Sequence, residues 1–167
     1  IRNVTPDKMN AMVAAVARYG MALPAAAKKY GIVGYCWGGS ASFNHAVFNA
    51  PGLAASVVYY GSSPADSAIA KVRIPVLGLY GANDQRVNAT SARADSTMKA
   101  IGGTFVSRVY EGAGHGFLRA QDQPVVGGRN FRHVQAADGV AVAVVADAFS
   151  QAMGATSRDI AGWVLVT

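Results

Sequence analysis

The sequence predicts one α/β domain in which helices cover both faces of a mostly parallel β-sheet. Two patterns in its 167 residues support this prediction. Short apolar runs rich in valine and tyrosine alternate with segments of helical periodicity through most of the chain, as in consecutive βαβ units. Several of these runs end directly in glycine-rich turns, which is typical of the edge where α/β sheets place their ligand sites. No linker or repeat divides the chain, so a single domain is predicted over 1–167.

The first predicted element is a helix that begins at Thr5-Pro6-Asp7. Threonine is a favourable N-cap, proline suits the first helical position, and an acid in the first turn complements the helix dipole. The helix is predicted to end at Gly20. Five apolar residues at helical spacing predict the face that it buries: Met9, Met12, Val13, Val16 and Tyr19.

The later elements are predicted from apolar runs that glycine and proline bound. The run over 54–60 is continuous, as in a strand that is buried on both faces. The predictions, in chain order, are a strand that ends at Tyr35, a helix to Asn49, a strand over 54–60, one helical turn within 61–73, a strand over 74–80, a helix over 88–101, a strand over 104–110, a helix over 134–153 and a final strand over 163–166. The packing of the tail, residues 154–167, stays open.

Composition excludes several classes of protein. Apolar residues make up 51% of the chain and charged residues 14%, which is typical of a globular domain. No apolar run reaches the roughly 18 residues that cross a bilayer, so we expect no membrane partner. The formal charge is +6, but the basic residues are scattered, so we expect no nucleic-acid partner. A single cysteine cannot form an internal disulfide, which agrees with a cytoplasmic location and leaves export open.

The stretch over 31–39 has the pattern of a nucleophile elbow. Gly34-x-Cys36-x-Gly38 places the only cysteine at the tip of a turn between a strand and a helix. Small residues two before and two after the tip let the strand and the helix cross without a collision of Cβ atoms. The start of the helix favours the thiolate form of Cys36. The alternative is that this cysteine is an inert buried residue.

Two further loops carry the residue types of a cysteine hydrolase. Asp84 and His115 each follow a predicted strand, so all three side chains are predicted at one edge of the sheet. The order Cys36, Asp84, His115 is that of nucleophile, acid and histidine in α/β-hydrolases. A thiolate would attack a carbonyl carbon, an imidazole would transfer the proton, and a carboxylate would orient the imidazole. Taken alone, Asp84 would mean little, because an aspartate after Gly-Ala-Asn is also an ordinary turn residue.

Four motifs together resemble the dienelactone hydrolase family of α/β-hydrolases. They are Gly34-Tyr35-Cys36-Trp37-Gly38-Gly39, Val58-Tyr59-Tyr60-Gly61, Gly81-Ala82-Asn83-Asp84 and Gly114-His115-Gly116-Phe117. The family includes carboxymethylenebutenolidases, which open an unsaturated lactone that bears a carboxylate. The resemblance implies an α/β-hydrolase fold and a small-molecule substrate, a lactone or ester with or without a carboxylate. It implies no cofactor.

The resemblance also implies roles for individual residues. Cys36 matches the nucleophile of the family, Asp84 the acid and His115 the base. The backbone N–H of Trp37 would bind the oxyanion.

Three more residues are candidates for substrate binding. Arg119 matches the arginine that holds the substrate carboxylate in the family, and the alternative is a solvated loop charge. Tyr59 and Tyr60 would line the pocket, or else serve only as buried aromatic residues of a strand. No pair of histidines or carboxylates has metal-ligand spacing, so no metal is predicted.

The sequence departs from the family before the elbow, where a single helix stands in place of several strands. In the family that portion supplies a second oxyanion donor and a glutamate that controls protonation of the thiol, whereas Asp7 is the only acid before Cys36 here. Three explanations stay open: a fragment of a longer enzyme, a chain completed by another chain or copy, or a truncated descendant without the activity. The first two would leave a sheet edge uncovered and favour self-association or a complementing chain. The rival function is a non-catalytic interaction or structural domain.

Overall fold

Five parallel strands form the sheet. The structure, a computed structural model, describes residues 4–118 and 164–166. Its strands are β1 (Tyr30–Tyr35), β2 (Leu53–Tyr59), β3 (Val76–Gly81), β4 (Phe105–Tyr110) and β5 (Val164–Val166). They lie in the order β4-β3-β2-β1-β5, and each neighbouring pair is parallel. The predicted strands are confirmed, with shifts of no more than two residues at their ends.

Four helices accompany the described strands: α1 (Pro6–Ala22), α2 (Trp37–Val47), α3 (Asp66–Ile69) and α4 (Gln85–Ala100). Thr5 caps α1 as predicted, because its hydroxyl oxygen accepts a hydrogen bond from the backbone N–H of Lys8 at 3.3 Å. The helix α4 begins at Gln85 and not at residue 88, because the carboxylate of Asp84 caps it. The helix predicted over 134–153 lies outside the described residues.

The buried face of α1 differs from the prediction. Three of the five residues predicted to be buried are largely exposed: Met12 at 57%, Val16 at 57% and Tyr19 at 74%. Ala17 lies in the contact with β1 instead, where a small side chain lets the helix approach the sheet closely. The helix also continues two residues past Gly20, because the N–H of Leu23 caps it by donating to the Gly20 carbonyl oxygen at 3.2 Å.

The described helices pack on one face of the sheet, so the predicted helices on both faces are seen on one face only among the described residues. Side chains of α2, α3 and α4 form a buried cluster with Val58, Val76 and Tyr80, and Ala17 of α1 packs nearby against Tyr30. Neighbouring residues of a strand point to opposite faces, so a second cluster with Val57 and Tyr59 lies on the other face. This second cluster also contains buried residues from the loop after β4, namely Ala113 and Phe117.

The strand β5 occupies the sheet edge beside β1. It pairs in parallel with residues Tyr30, Gly31 and Ile32. The strand predicted in the tail is therefore present, and it covers part of the sheet edge beside β1. Among the described helices, none is long and apolar enough to span a bilayer.

A buried hydrogen-bonded network joins α1, α2 and β1. The ring of His45 is fully buried, with Nε2 2.7 Å from the hydroxyl of Tyr30 and Nδ1 2.7 Å from Oδ1 of Asn10. Burial raises the pKa of Tyr30 to about 12, so its hydroxyl stays protonated and donates to Nε2. The ring proton then sits on Nδ1 and is donated to Asn10. Burial also lowers the pKa of His45, which favours the neutral imidazole in the folded protein.

This network predicts an acid-sensitive stability. The pKa of His45 lies below its ordinary value of 6.5 in the folded chain and returns to that value on unfolding. Below this pH the unfolded chain therefore binds more protons, and the free energy of unfolding falls as the pH falls towards the folded pKa. Above the unfolded pKa this contribution to stability is fully present.

Urea denaturation between about pH 5 and pH 8 measures this effect. The variant His45→Gln should lose part of the acid slope and about 1–3 kcal/mol of stability at neutral pH, because Tyr30 and Asn10 lose their partner. The matched control is His115→Gln. The pKa of His115 is shifted in the opposite direction, so this variant should keep the acid slope. Equal acid slopes in the wild type and in His45→Gln would contradict the assignment.

Candidate active site

Cys36 lies at a strained turn between β1 and α2. Its φ is 57° and its ψ is −115°, a conformation that L residues rarely adopt. The side chain is exposed at the carboxyl end of the sheet. A Cβ atom on Gly34 would collide with the backbone of Gly38, so the turn requires glycine two residues before the cysteine.

The second required glycine is Gly39 and not Gly38. A Cβ on Gly38 would meet no atom within 4 Å, whereas a Cβ on Gly39 would lie 2.5 Å from the carbonyl oxygen of Tyr59. The sequence pattern placed this steric requirement at Gly38, which is wrong. The reason is that the first turn of α2 presses against the end of β2 through Gly39, while Gly38 faces open space.

Hydrogen bonds between two loops bring Asp84 and His115 together. The N–H of Ala82 donates to the Tyr110 carbonyl oxygen, and that of Asn83 donates to the Ala113 carbonyl oxygen, both at 2.9 Å. These bonds extend the pairing of β3 and β4 into the segments that follow the two strands. The loops that carry the acid and the histidine are therefore fixed side by side.

The three predicted side chains form a line of contacts. Sγ of Cys36 lies 3.1 Å from Nε2 of His115, and Nδ1 of the same ring lies 2.5 Å from Oδ2 of Asp84. The carboxylate is buried, whereas the side chain of His115 is 38% exposed. The other oxygen of Asp84 accepts from the N–H of Val87 at 3.4 Å, which fixes the carboxylate at the start of α4. The structure thus brings the three residues together, and their catalytic roles stay a prediction.

The electrostatics of the site favour a thiolate–imidazolium pair. The hydrogen bond with His115 lowers the pKa of Cys36, and the Trp37 backbone N–H and the charge of Arg86 act in the same direction. Hydrogen bonds to Cys36 and to Asp84 raise the pKa of His115. Both shifts favour transfer of the proton from the sulfur to the imidazole.

The structure places the other candidate residues around this line. The side chain of Trp37 is 48% exposed beside Cys36. Tyr59 and Tyr60 are buried, so neither presents much surface to a substrate. The Tyr60 ring instead packs in a T-shaped arrangement against the His115 ring, with 5.4 Å between the centroids. Arg119 lies outside the described residues.

Sequence reasoning missed three residues of the site. The ring of Tyr35 stacks on Tyr59 at 4.8 Å and is 39% exposed, and that of Phe117 packs on Tyr60 at 5.2 Å. Tyr35 belongs to the motif of the elbow, and Phe117 belongs to the motif of the histidine loop. Their places in these motifs could have identified them as residues of the site. Arg86 lies two residues after Asp84, in the first turn of a helix that was predicted to begin only at residue 88, so no sequence signal pointed to it. Within residues 4–118 and 164–166, no three metal-ligating side chains lie close enough together to hold a metal ion.

The chain is similar in sequence to proteins of one known family. The model of the dienelactone hydrolase family matches residues 2–153. A curated protein of Methylorubrum extorquens named "Putative carboxymethylenebutenolidase" is 38% identical over 100 residues, which are 53% of this chain and 34% of that protein. A protein of the same name from Yersinia pestis is 35% identical over 102 residues, which are 54% of this chain and 38% of that protein. The chain thus spans little more than a third of the length of these relatives.

Solved structures share the fold. The "Putative Dienelactone Hydrolase" of Klebsiella pneumoniae superposes with a TM-score of 0.65 and 28% identity, over 74% of this chain and 56% of that one. A dienelactone hydrolase-like promiscuous phosphotriesterase from metagenomic libraries superposes with a TM-score of 0.63 and 18% identity, over 87% of this chain and 62% of that one. At 18% identity the likeness concerns the fold alone. The predicted α/β-hydrolase fold is confirmed.

Proposed function

This chain belongs to the dienelactone hydrolase family, and we propose that it is a cysteine-dependent hydrolase that cleaves a small ester or lactone through a thioester on Cys36. One observation carries the proposal: Sγ of Cys36 lies 3.1 Å from the ring nitrogen of a histidine whose other nitrogen is bound to a buried carboxylate. This is the geometry that activates a nucleophile for acyl transfer.

The first half of the proposed reaction acylates the cysteine. The thiolate of Cys36 attacks the carbonyl carbon, and the backbone N–H of Trp37 donates to the oxyanion that forms. The C–O bond to the leaving group then breaks, and the leaving oxygen takes the proton from Nε2 of His115. This half leaves a thioester on Cys36. An ester releases a separate alcohol, whereas the enol formed from an unsaturated lactone stays attached to the acyl group.

The second half releases the acid. Nε2 of the now neutral His115 takes a proton from water, and the hydroxide attacks the thioester carbonyl. The C–S bond breaks, the thiolate of Cys36 is restored, and the imidazole is again protonated. Asp84 remains ionised throughout, since its role is to orient the ring and to stabilise the imidazolium.

The proposed substrate class rests on the family and on the relatives. The family model carries the name of an enzyme that acts on dienelactones, and the two relatives carry the name of one that acts on carboxymethylenebutenolides. We therefore propose a small lactone or ester as the substrate. The exposed rings of Tyr35 and Trp37, which flank Cys36 in the sequence, support a flat or unsaturated acyl group.

The test is hydrolysis of 4-nitrophenyl acetate, followed by a panel of unsaturated lactones. We expect a burst of 4-nitrophenolate that equals the concentration of the chain, and then slower steady turnover, because acylation of Cys36 precedes hydrolysis of the thioester. The control is the same chain after its only cysteine has been blocked with iodoacetamide, which should show neither phase. Equal release of 4-nitrophenolate from the blocked and unblocked chains would reject the proposal and favour a non-catalytic domain.

A further inference from the structure

We infer that Arg86 is a specificity-determining residue of this site, whose guanidinium holds positive charge beside Cys36 and raises the reactivity of the cysteine towards negatively charged acyl compounds. The inference rests on the proposed function, because it concerns the same thiolate. Arg86 belongs to no motif by which the family was identified.

The position of Arg86 relative to the elbow follows from a chain of hydrogen bonds. Its Nη1 donates to the hydroxyl of Ser62 at 3.2 Å. The backbone N–H of Ser62 donates to the hydroxyl of Ser40 at 2.9 Å, and the N–H of Ser40 donates to the carbonyl oxygen of Cys36 at 3.1 Å. The guanidinium therefore lies on the loop after β2, which is bound directly to the first turn after the nucleophile.

The charge of Arg86 is available to a ligand. Its side chain is exposed, and no carboxylate in the described parts of the chain pairs with it. The carboxylate nearest to it in the sequence, Asp84, is bound to His115. The charge is also close enough to the sulfur to lower the pKa of Cys36. An anionic group on a substrate held at Cys36 would thus meet a cation that pairs with no carboxylate of the described residues.

Helix stability does not explain an arginine at this place. Arg86 lies in the first turn of α4, where the helix dipole disfavours a positive charge, and the same turn carries no acidic residue. Departures from local rules of this kind occur mostly at functional sites.

The test compares alkylation of Cys36 by iodoacetate and by iodoacetamide. The two reagents are similar in size and differ in charge, and both transfer their carbon to sulfur with loss of iodide. Because the chain has a single cysteine, the rate of labelling reports on Cys36 alone. The variant Arg86→Gln should lower the ratio of the iodoacetate rate to the iodoacetamide rate about three- to tenfold at low salt. Arg86→Lys should keep most of the ratio, because it keeps the charge.

The matched control is Arg93→Gln, an equal change of charge at an exposed position two turns further along α4. It should leave the ratio unchanged. In the wild type, addition of salt should lower the iodoacetate rate and leave the iodoacetamide rate nearly constant. An unchanged ratio in Arg86→Gln, with Cys36 still reactive, would overturn the role of Arg86 alone. A Cys36 that reacts with neither reagent would overturn the proposed function as well.

Discussion

Replacement of Cys36 by alanine is expected to lower kcat/KM for ester hydrolysis by about 10⁴-fold or more. The sulfur is the proposed nucleophile, and no other side chain in the described residues lies in line with His115 and Asp84. The fold should persist, because alanine carries the same Cβ atom through the same strained turn and the lost sulfur was exposed. Steady-state kinetics measure the first effect, and thermal denaturation followed by circular dichroism measures the second.

The variant Cys36→Ser distinguishes the contribution of the thiol from that of the turn that carries it. Serine preserves the size and the hydrogen bond of the side chain, but its hydroxyl does not form a stable anion beside the imidazole at neutral pH. We expect its activity to lie far below that of the wild type. Turnover by Cys36→Ala within tenfold of the wild-type value, with the fold intact, would exclude Cys36 as the nucleophile.

Replacement of Asp84 by asparagine is expected to have the second large effect on hydrolysis. We expect a loss of about 10³- to 10⁴-fold in kcat, because an amide neither fixes the productive tautomer of His115 nor stabilises its imidazolium form. Asp84 and Cys36 both raise the pKa of His115, so the loss of one carboxylate should move the alkaline limb of the pH–rate profile to lower pH. Steady-state rates measured across the pH range test both expectations.

Asp95→Asn is the control for this substitution. Asp95 lies on α4 as well, but its carboxylate pairs with Lys99 at 2.6 Å on the outer surface of the helix. Removal of this charge should leave kcat and the pH profile unchanged. If Asp84→Asn and Asp95→Asn behaved alike, the carboxylate of Asp84 would have no part in the reaction.

The sequence was sufficient to predict the sheet and the meeting of three loops. Apolar runs that end in glycine identify parallel strands, and side chains that follow such strands share one edge of the sheet. Cys36, Asp84 and His115 each follow a strand in this way. The elbow could be recognised in the sequence because a non-glycine residue with a positive φ needs glycines close to it in the chain. The pattern could not show that Gly39, and not Gly38, is the glycine required after Cys36.

Other features depend on contacts that no local pattern records. The helix α1 has two apolar stripes, and periodicity alone could not show that the stripe with Val16 and Tyr19 faces outward. The buried state of His45 depends on partners 15 and 35 residues away in the sequence. The place of Arg86 beside the elbow likewise depends on the order of strands, which brings α4 next to the loop that follows β2.

The most direct test of the thioester on Cys36 is its mass. The reaction with 4-nitrophenyl acetate is stopped with acid during the burst, and the peptide that contains Cys36 is examined by mass spectrometry. We predict that this peptide gains the mass of one acetyl group, that the acetyl group lies on the sulfur, and that it disappears as the substrate is exhausted. Turnover without an acetyl group on Cys36, or with one on another side chain, would contradict the proposed mechanism.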